Sequence, residues 1–501
     1  MKKLYLILAS FLITAQMTAQ DWSFRYVGDY PSGSTQFCDG FIDEAGVTFL
    51  AGREGHDYDH PEALFMRIEP DGNHQIFKYH KEGCSSKATC ILEMPNHNLF
   101  VAGNLSDGID DYVMVLILDK QLNLLEERSY GKEVEAVSFG DCRATLDSHG
   151  NVIVSTTVLQ TYNPHVTTDH GVFYKFDCHG DLISHRYLIE DYPGTFYFFT
   201  NFHLRQMWYN AEDETLLCLA PASYDVMSFI TFDSAFNYIR EYPIVNDKSP
   251  RFDHILNDDC FTDHWYNEEE LLVFNSRGDY EHNDLRIAKI NVYGDFLDYI
   301  YLTETPDTIF DPALYRSMAY ANDNVIYYSF YYHLVPVHPG YAVVWMLNEQ
   351  LEIIGSYVFD DCMNYRSDLI LPTSDDGCLV VNHLSPDIPM DYYGYPIITK
   401  LKKDDFFTVP HWIAEPNSQQ PTDIAYPNPA NTTLHIPLPD RYGTYTRCQI
   451  MDAKGLVVTD QIVNSDERIL QFDVSGLSPG LYLYRIYTAE KTLVTEQFIK
   501  K

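Results

Sequence analysis

An all-β fold follows from three features of the sequence. One unit recurs, clearest at Asp111–Tyr130: an apolar run (Tyr112–Leu118) suited to a strand buried on both faces, a polar turn at Asp119–Asn123, and a half-polar second run. The unit returns at Glu69, Asp119, Asp177, Asp233, Asn291, Asn348 and Lys402, at intervals of 50, 58, 56, 58, 57 and 54 residues. The 39 Tyr and 29 Phe among 501 residues favour strands. A fixed period of this size, all strand and turn, means radial or linear repetition.

Each anchor follows a large apolar residue (Ile68, Leu118, Phe176, Phe232, Ile290, Leu347, Leu401), and in the clearest copies a glycine follows three residues on (Gly72, Gly180, Gly294). Ahead of each hairpin lies a further strand: Phe49–Gly52, Asn98–Ala102, Asn151–Ser155, Thr215–Leu219, Leu271–Asn275, Val325–Ser329 and Cys378–Asn382. A polar turn precedes each of these, and another strand, such as Ala88–Glu93, precedes the turn. Four strands in each of seven repeats make a seven-bladed β-propeller over residues 21–414. Six or eight blades, or a sandwich, fit the same pattern. Ala102-Gly103, Asp111–Leu118 and Lys175–Leu182 resemble the propeller-forming repeats of secreted bacterial proteins. An open ring would leave two strand edges unpaired. Trp22–Tyr26 reads as the outer strand of a blade and is expected to close the ring on Pro396–Leu401, with Phe406–Val409 competing for that edge.

The N-terminus reads as a signal peptide over residues 1–20: Lys2 and Lys3, the apolar run Leu4–Ile13, then Ala15–Gln20. Glu415–Thr422 is a linker by composition. Beyond it, residues 423–501 carry short alternating strands that suggest a small Ig-like β-sandwich. Four motifs stand in order there: Tyr426-Pro427-Asn428-Pro429-Ala430, Asp452–Gly455, Asp473–Gly480 followed by Leu481-Tyr482, and Phe498–Lys501. They resemble the C-terminal sorting domain of type IX secretion cargo, with Pro427, Asn428, Pro429, Gly455, Gly476, Leu477, Pro479, Gly480 and Tyr482 as its sorting motif. The resemblance implies the type IX secretion machinery as a partner, passage through the periplasm, and release or attachment at the outer cell surface.

The formal net charge of −38 repels nucleic acid and anionic lipid, so neither is an expected partner. With 46% hydrophobic and 21% charged residues the chain is folded rather than an acidic disordered tail. No apolar stretch after the signal is long enough to span a bilayer. The ten cysteines could bridge in an oxidising compartment, but Cys448 stands apart, so at least one of the other nine stays unpaired within its domain.

No nucleophile elbow, HExxH, P-loop or dinucleotide fingerprint is present, and the chain leans away from being an enzyme. The loops between second and third strands are long and polar-aromatic. They offer Tyr58, His60, Tyr162, His165, Tyr280, His282, Tyr331, His333, Tyr392 and Tyr393, rings that stack on sugars and groups that bond hydroxyls. A second constellation is basic. Lys87, Arg143, Arg205, Arg316 and Arg366 each stand near the start of an innermost strand, where they could hold a carboxylate or sulfate or pair with Asp39, Asp141, Asp259, Asp263 and Asp368. No metal is expected. Calcium at Asp107–Asp111 is the one cofactor left open, and His56–His60 matches no ligand spacing. The expected function is a surface-displayed propeller binding a glycan or host protein on one loop face. A polysaccharide hydrolase or lyase and a structural surface component are the alternatives.

Overall fold

The structure, a computed structural model, describes residues 22–26, 28, 34–55, 61–131, 138–163, 166–188, 204, 206–221, 227–244, 271–276, 285–291, 293–302, 308–312, 317–321, 325–334, 340–359, 365–384, 395–406, 430–437, 446–452, 457–463, 469–487 and 492–501. The chain divides into two compact units, residues 1–410 and 411–501. The expected signal segment and linker lie outside the described residues.

Among the described residues, seven antiparallel sheets belong to the first unit. Blade 1 is Ser34–Ile42, Thr48–Gly55, Glu62–Ile68 and His74–Tyr79; blade 2 is Ser85–Glu93, Leu99–Ser106, Asp111–Leu118 and Leu124–Tyr130. In blade 3, Ser138–Phe139 and Arg143–Leu146 share the inner edge of Val152–Asn163, followed by Val166–Phe176 and Leu182–Tyr187. Blade 4 is Gln206–Asn210, Thr215–Pro221, Met227–Asp233 and Tyr238–Pro243, and blade 5 shows Leu271–Ser276, Leu285–Asn291 and Phe296–Leu302. Blade 6 sets Thr308–Pro312 and Met318–Tyr320 on Ile326–Leu334, then Gly340–Leu347 and Ile353–Val358. Blade 7 is Tyr365–Pro372, Cys378–Leu384, Tyr395–Leu401 and, from the other end of the chain, Ser23–Arg25. The inner strands of blades 6, 7, 1, 2, 3 and 4 pack side by side in that order, and blade 5 meets the inner edge of blade 6. That is a β-propeller.

The ring closes on the expected strand: Ser23 pairs with Thr399, Phe24 with Ile398 and Arg25 with Ile397. Phe406 takes no part in the edge. It is buried against Tyr327 and Tyr357. Trp22 reaches across the seam, donating Nε1–H to the carbonyl of Pro70 at 3.0 Å.

Apolar side chains alternate along each strand and fill the seams between blades. Phe37, Leu50, Met66, Leu369 and Val381 fill the seam of blades 7 and 1; Phe49, Phe65, Val101 and Leu116 fill that of blades 1 and 2. Phe100, Val115, Val154 and Tyr174 form the next, and Phe173, Ile230 and Phe232 the one after.

The period itself is a turn rule. In the third-to-fourth turn, Oδ1 of Asp119, Asp177, Asp233, Asn291 and Asn348 accepts backbone N–H bonds from the residues two and four positions on. Asp43 and Asp147 do the same in first-to-second turns. The third position on adopts a positive φ, which explains Gly72, Gly180 and Gly294. Where the glycine is missing, Leu122 (φ 62°), Phe236 (φ 62°) and Leu351 (φ 59°) hold that conformation, and each side chain is buried in a seam. Left-handed backbone costs roughly 1–2 kcal/mol, and burying a Leu or Phe returns about 1.5–3, so packing offsets the strain.

The second unit sets a two-stranded sheet (Thr433–Pro437 with Ile469–Asp473) against a four-stranded one ordered Val457–Val463, Thr446–Asp452, Gly480–Tyr487, Thr492–Lys500. Leu434, Ile436, Leu470 and Phe472 from the first meet Cys448, Ile450, Tyr484, Ile486 and Phe498 from the second in one core. This is a small β-sandwich.

Candidate functional site

Meander connectivity gives the propeller two unlike faces. First-to-second and third-to-fourth turns share one face and are short and internally satisfied. Lys120 Nζ clamps two blades there, bonding Asp43 Oδ2 at 2.8 Å and Glu93 Oε1 at 2.9 Å, and Asn96 Nδ2 bonds the carbonyl of Cys178 at 2.7 Å. The opposite face carries the second-to-third loops and the passages between blades. Strands of blade 3 run long toward it, pairing from Val152–Phe176 out to Asn163–Val166.

Inner strands begin at the loop face, and three of them carry a bulge at the same level. The register slips between Phe37 and Asp39, between Ala88 and Cys90, and between Ser367 and Leu369, so Cys38, Thr89 and Asp368 are the extra residues. The bulges bind blade to blade: Thr89 Oγ1 accepts the N–H of Cys142 at 2.8 Å, and Asp39 Oδ2 that of Ile91 at 2.9 Å. Just above this level, Gln36 lies opposite Arg53, Lys87 opposite Asn104, and Arg366 opposite His383. Blade 3 adds Arg143, opposite Ser155, and Asp141, which precedes that strand by two residues.

Lys87 Nζ bonds Asp141 Oδ1 at 2.8 Å. The protein packed round Asp141 would raise its carboxyl, but Lys87, then Arg143 and Arg53, outweigh that and hold it below the ordinary carboxylate range. Burial would depress the Lys87 ammonium, and the neighbouring Asp141 helps to keep it raised instead. Asn104 Nδ2 donates to the carbonyls of Phe139 and Gly140. In blade 7, Asp368 is fully buried, neither of its oxygens has a hydrogen-bond partner, and its Oδ2 lies 3.5 Å from Nδ1 of His383.

Of the basic residues singled out in the sequence, Lys87 is engaged by Asp141, Arg143 opens the strand paired with Val152–Asn163, and Arg366 opens blade 7. Arg205 and Arg316 lie outside the described residues, as do Asp259, Asp263, Tyr58, His60, His165, Tyr280, His282, Tyr392 and Tyr393. The backbones of Tyr162, Tyr331 and His333 sit at the loop-face ends of their strands, with Tyr331 opposite Ala342 and His333 opposite Gly340. Arg53, Gln36, Asn104 and His383 were missed. Asn104 shares a rung with Lys87 and His383 with Arg366, so their signal is register rather than residue type, whereas Gln36 and Arg53 pair with each other and share no rung with a residue singled out in the sequence.

Asp107 Oδ1 accepts the N–H groups of Ile109 and Asp110, and its Oδ2 accepts the hydroxyl of Tyr112 at 3.2 Å. Among the described residues no group of three or more His, Cys, Asp or Glu is placed to hold a metal. Eight described cysteines are free thiols; burial raises those of Cys90, Cys142, Cys218, Cys378 and Cys448.

In the second unit the described sorting residues build one turn. Asp473 Oδ1 accepts the N–H of Ser475, Leu477 N–H bonds the carbonyl of Val474 and its side chain packs on the core, and Tyr482 Oη donates to the carbonyl of Ser478 at 3.0 Å. Gly476, Pro479 and Gly480 complete it at the surface, while Pro427, Asn428, Pro429 and Gly455 lie outside the described residues.

This is an all-β protein that joins a propeller to a small sandwich. Residues 424–501 match the model of the secretion system C-terminal sorting domain, so the chain is a type IX export substrate, secreted or attached to the cell surface. No curated protein matches the chain. Among solved structures it is similar to the β-propeller domain of Cps50 (Swd1) from Myceliophteria thermophila, at 10% identity, TM-score 0.41, over 77% of this chain and 99% of that one. The polysaccharide lyase Uly1 aligns at 9% identity, TM-score 0.39, over 75% and 93%. The haemagglutinin-neuraminidase ectodomain of parainfluenza virus 5 aligns at 8%, TM-score 0.40, over 77% and 83%. No helix among the described residues is long and apolar enough to cross a membrane.

Proposed function

We propose that the protein is a surface-displayed glycan-binding propeller whose loop face takes the ligand and whose C-terminal sandwich serves export. The asymmetry of the two faces carries this reading. Polar groups of the turn face are spent on its own turns and on inter-blade bonds such as those of Lys120. The loop-face strand ends of this rigid ring carry Tyr162, Tyr331 and His333, and the sequence around the loops is rich in aromatic residues in the stretches Arg53–Glu62, Gln160–His170, Tyr331–Tyr341 and Ser385–Tyr395. Aromatic rings stack on sugar faces, and flanking Asp and His bond hydroxyls.

A glycan array probed with the full chain, with and without calcium, tests the proposal. Saturable binding to one glycan class, weakened by Tyr331→Ala, supports it. Calcium dependence would assign a role to Asp107–Asp111. A blank array sinks the glycan reading and points to a protein partner.

A further inference from the structure

The sorting sandwich leaves one strand edge bare and apolar. Val457–Val463 is the outermost strand of the four-stranded sheet, paired to Thr446–Asp452 on one side and, among the described residues, to nothing on the other. The far edge of that sheet, Thr492–Lys500, is covered at its end: Ala430 bridges Lys500 and accepts the N–H of Lys501 at 2.9 Å. Val457 is 41% exposed, Val458 38% and Ile462 60%, and no other large apolar residue of the second unit is exposed among the described residues. In the two-stranded sheet, Leu434, Ile436, Leu470 and Phe472 all turn into the core.

A bare edge offers a row of unpaired N–H and C=O groups, and proteins guard it with lysine, proline, a charge or a bulge. This strand, VVTDQIV, has neither lysine nor proline. Its one charge, Asp460, is already engaged: Arg447 Nε bonds Oδ1 at 3.1 Å and Nη2 bonds Oδ2 at 2.8 Å, and Gln449 Nε2 adds a bond at 3.0 Å. A bulge at Val458 bends one end and leaves Thr459–Val463 in regular register. The apolar character runs inward from that bent end, where Val457 stands opposite Met451 and Met451 opposite Leu483. The middle of the same face is a polar ladder, with Arg485 Nη2 bonding Gln449 Oε1 at 2.8 Å beside Asp460.

Such an edge fits another strand: main-chain bonds supply affinity, and alternate side chains select the partner. The domain's role says whose strand. Residues 424–501 are the export signal, which the type IX machinery must engage. The two large side chains of the described sorting motif, Leu477 and Tyr482, serve the domain's own core and turn, so they are not free to carry that contact. We propose that the machinery docks an extended segment along Val457–Val463 and adds a strand to the sheet, setting aliphatic side chains against Val458 and Ile462 and a polar one against Asp460. The inference concerns export alone and stands apart from the glycan-binding reading.

The full chain is expressed in a host that carries the type IX machinery, and its surface and periplasmic fractions are measured for the unaltered protein, Ile462→Lys, Val458→Lys and Ile462→Val. Both lysine positions are exposed, so the core is kept, and melts of the purified variants check this. A lysine on the edge should cut surface delivery about tenfold and hold the chain in the periplasm, while Ile462→Val is delivered like the unaltered protein. Native-level delivery of Ile462→Lys overturns the proposal. Should that variant melt lower than the unaltered chain, Val458→Lys decides by the same rule. A full chain that sediments as a dimer, split into monomers by Ile462→Lys, also overturns it, since the edge then belongs to a second copy.

Discussion

Tyr26 donates its hydroxyl to Oε2 of Glu54 at 2.7 Å, and Lys78 Nζ meets Oε1 of the same carboxylate at 2.9 Å. Glu54 is fully buried, so donors rather than water hold its charge. Tyr26 follows directly on the strand that completes blade 7, whereas Glu54 and Lys78 belong to blade 1. The bond therefore fastens the ring at its seam. A Cβ on Gly28 would stand 2.2 Å from Glu54 Oε1, so the chain passes hard against the carboxylate.

Tyr26→Phe keeps the ring and its packing and deletes one donor to a buried charge. The expected loss is about 1–3 kcal/mol. It should be read as a lower urea midpoint with an unchanged slope. An unchanged midpoint would show that Trp22 and the three strand pairs close the seam without help from Tyr26.

Phe236 tests the balance between strain and packing. Its φ of 62° is a glycine conformation, yet the ring is buried and stacks on Phe173 with centroids 5.0 Å apart. Phe236→Gly removes the strain and the packing together. Losing a buried Phe costs about 3–5 kcal/mol against roughly 1–2 regained, so the variant should melt lower. The reverse change, Gly180→Phe, should also destabilise, because a Cβ there already approaches Ile117 Cδ1 at 2.9 Å. Thermal melts of the two variants check both signs, and a stabilised Phe236→Gly would refute the account.

Those turns show how much was legible beforehand. The spacing of Asp119, Asp177 and Asp233, each four residues before Asn or Asp, announces a five-residue turn and hence the blade period. The closing strand was also legible, since Trp22–Tyr26 alternates like an outer strand with no neighbour in sequence. Leu122, Phe236 and Leu351 looked like decay of the repeat because a positive φ on an apolar residue becomes explicable only once the seam it fills exists. The polar rung above the bulges was half legible. Lys87 and Arg143 were visible as cations near strand starts, but Asn104 and His383 join it through cross-strand register, and register depends on the bulges at Thr89 and Asp368. No local pattern marks those bulges.

The turn aspartates set an acid limit. Burial would raise the carboxyls of Asp43, Asp119, Asp147, Asp233 and Asp375, but turn N–H groups or side-chain partners such as Lys120, Lys175 and Lys400 outweigh it and hold all five below the ordinary value. A folded-state value below the unfolded one, about 3.9, gives stability that is complete above that pH and lost as pH falls through the folded value. The melting temperature should therefore hold steady down to about pH 5 and fall below about pH 4. Asp147→Asn keeps the turn acceptor and loses the Lys175 pair at 2.7 Å, so it should melt lower at neutral pH and lose less on acidification. A steep loss centred near pH 6 would contradict this assignment.

In the sorting sandwich the motif Asp473–Tyr482 works first as architecture. Leu477 pins the turn to the core, Tyr482 bonds the carbonyl of Ser478 and stacks on Phe498 with centroids 5.5 Å apart, and Phe498 is fully buried three residues before the last residue. The terminal strand Thr492–Lys500 pairs along its length with Gly480–Tyr487, so the end of the chain is stitched into the domain. Phe498→Ala should cost about 3–5 kcal/mol, more than so small a core can spare, and unfold the sandwich. Tyr482→Phe, which keeps the stack and loses one hydrogen bond, should leave it folded. If the machinery recognises the folded sandwich, Phe498→Ala and removal of residues 424–501 should both hold the propeller in the periplasm, while Tyr482→Phe reaches the surface. Surface display of Phe498→Ala at the native level would show that recognition reads a linear segment instead.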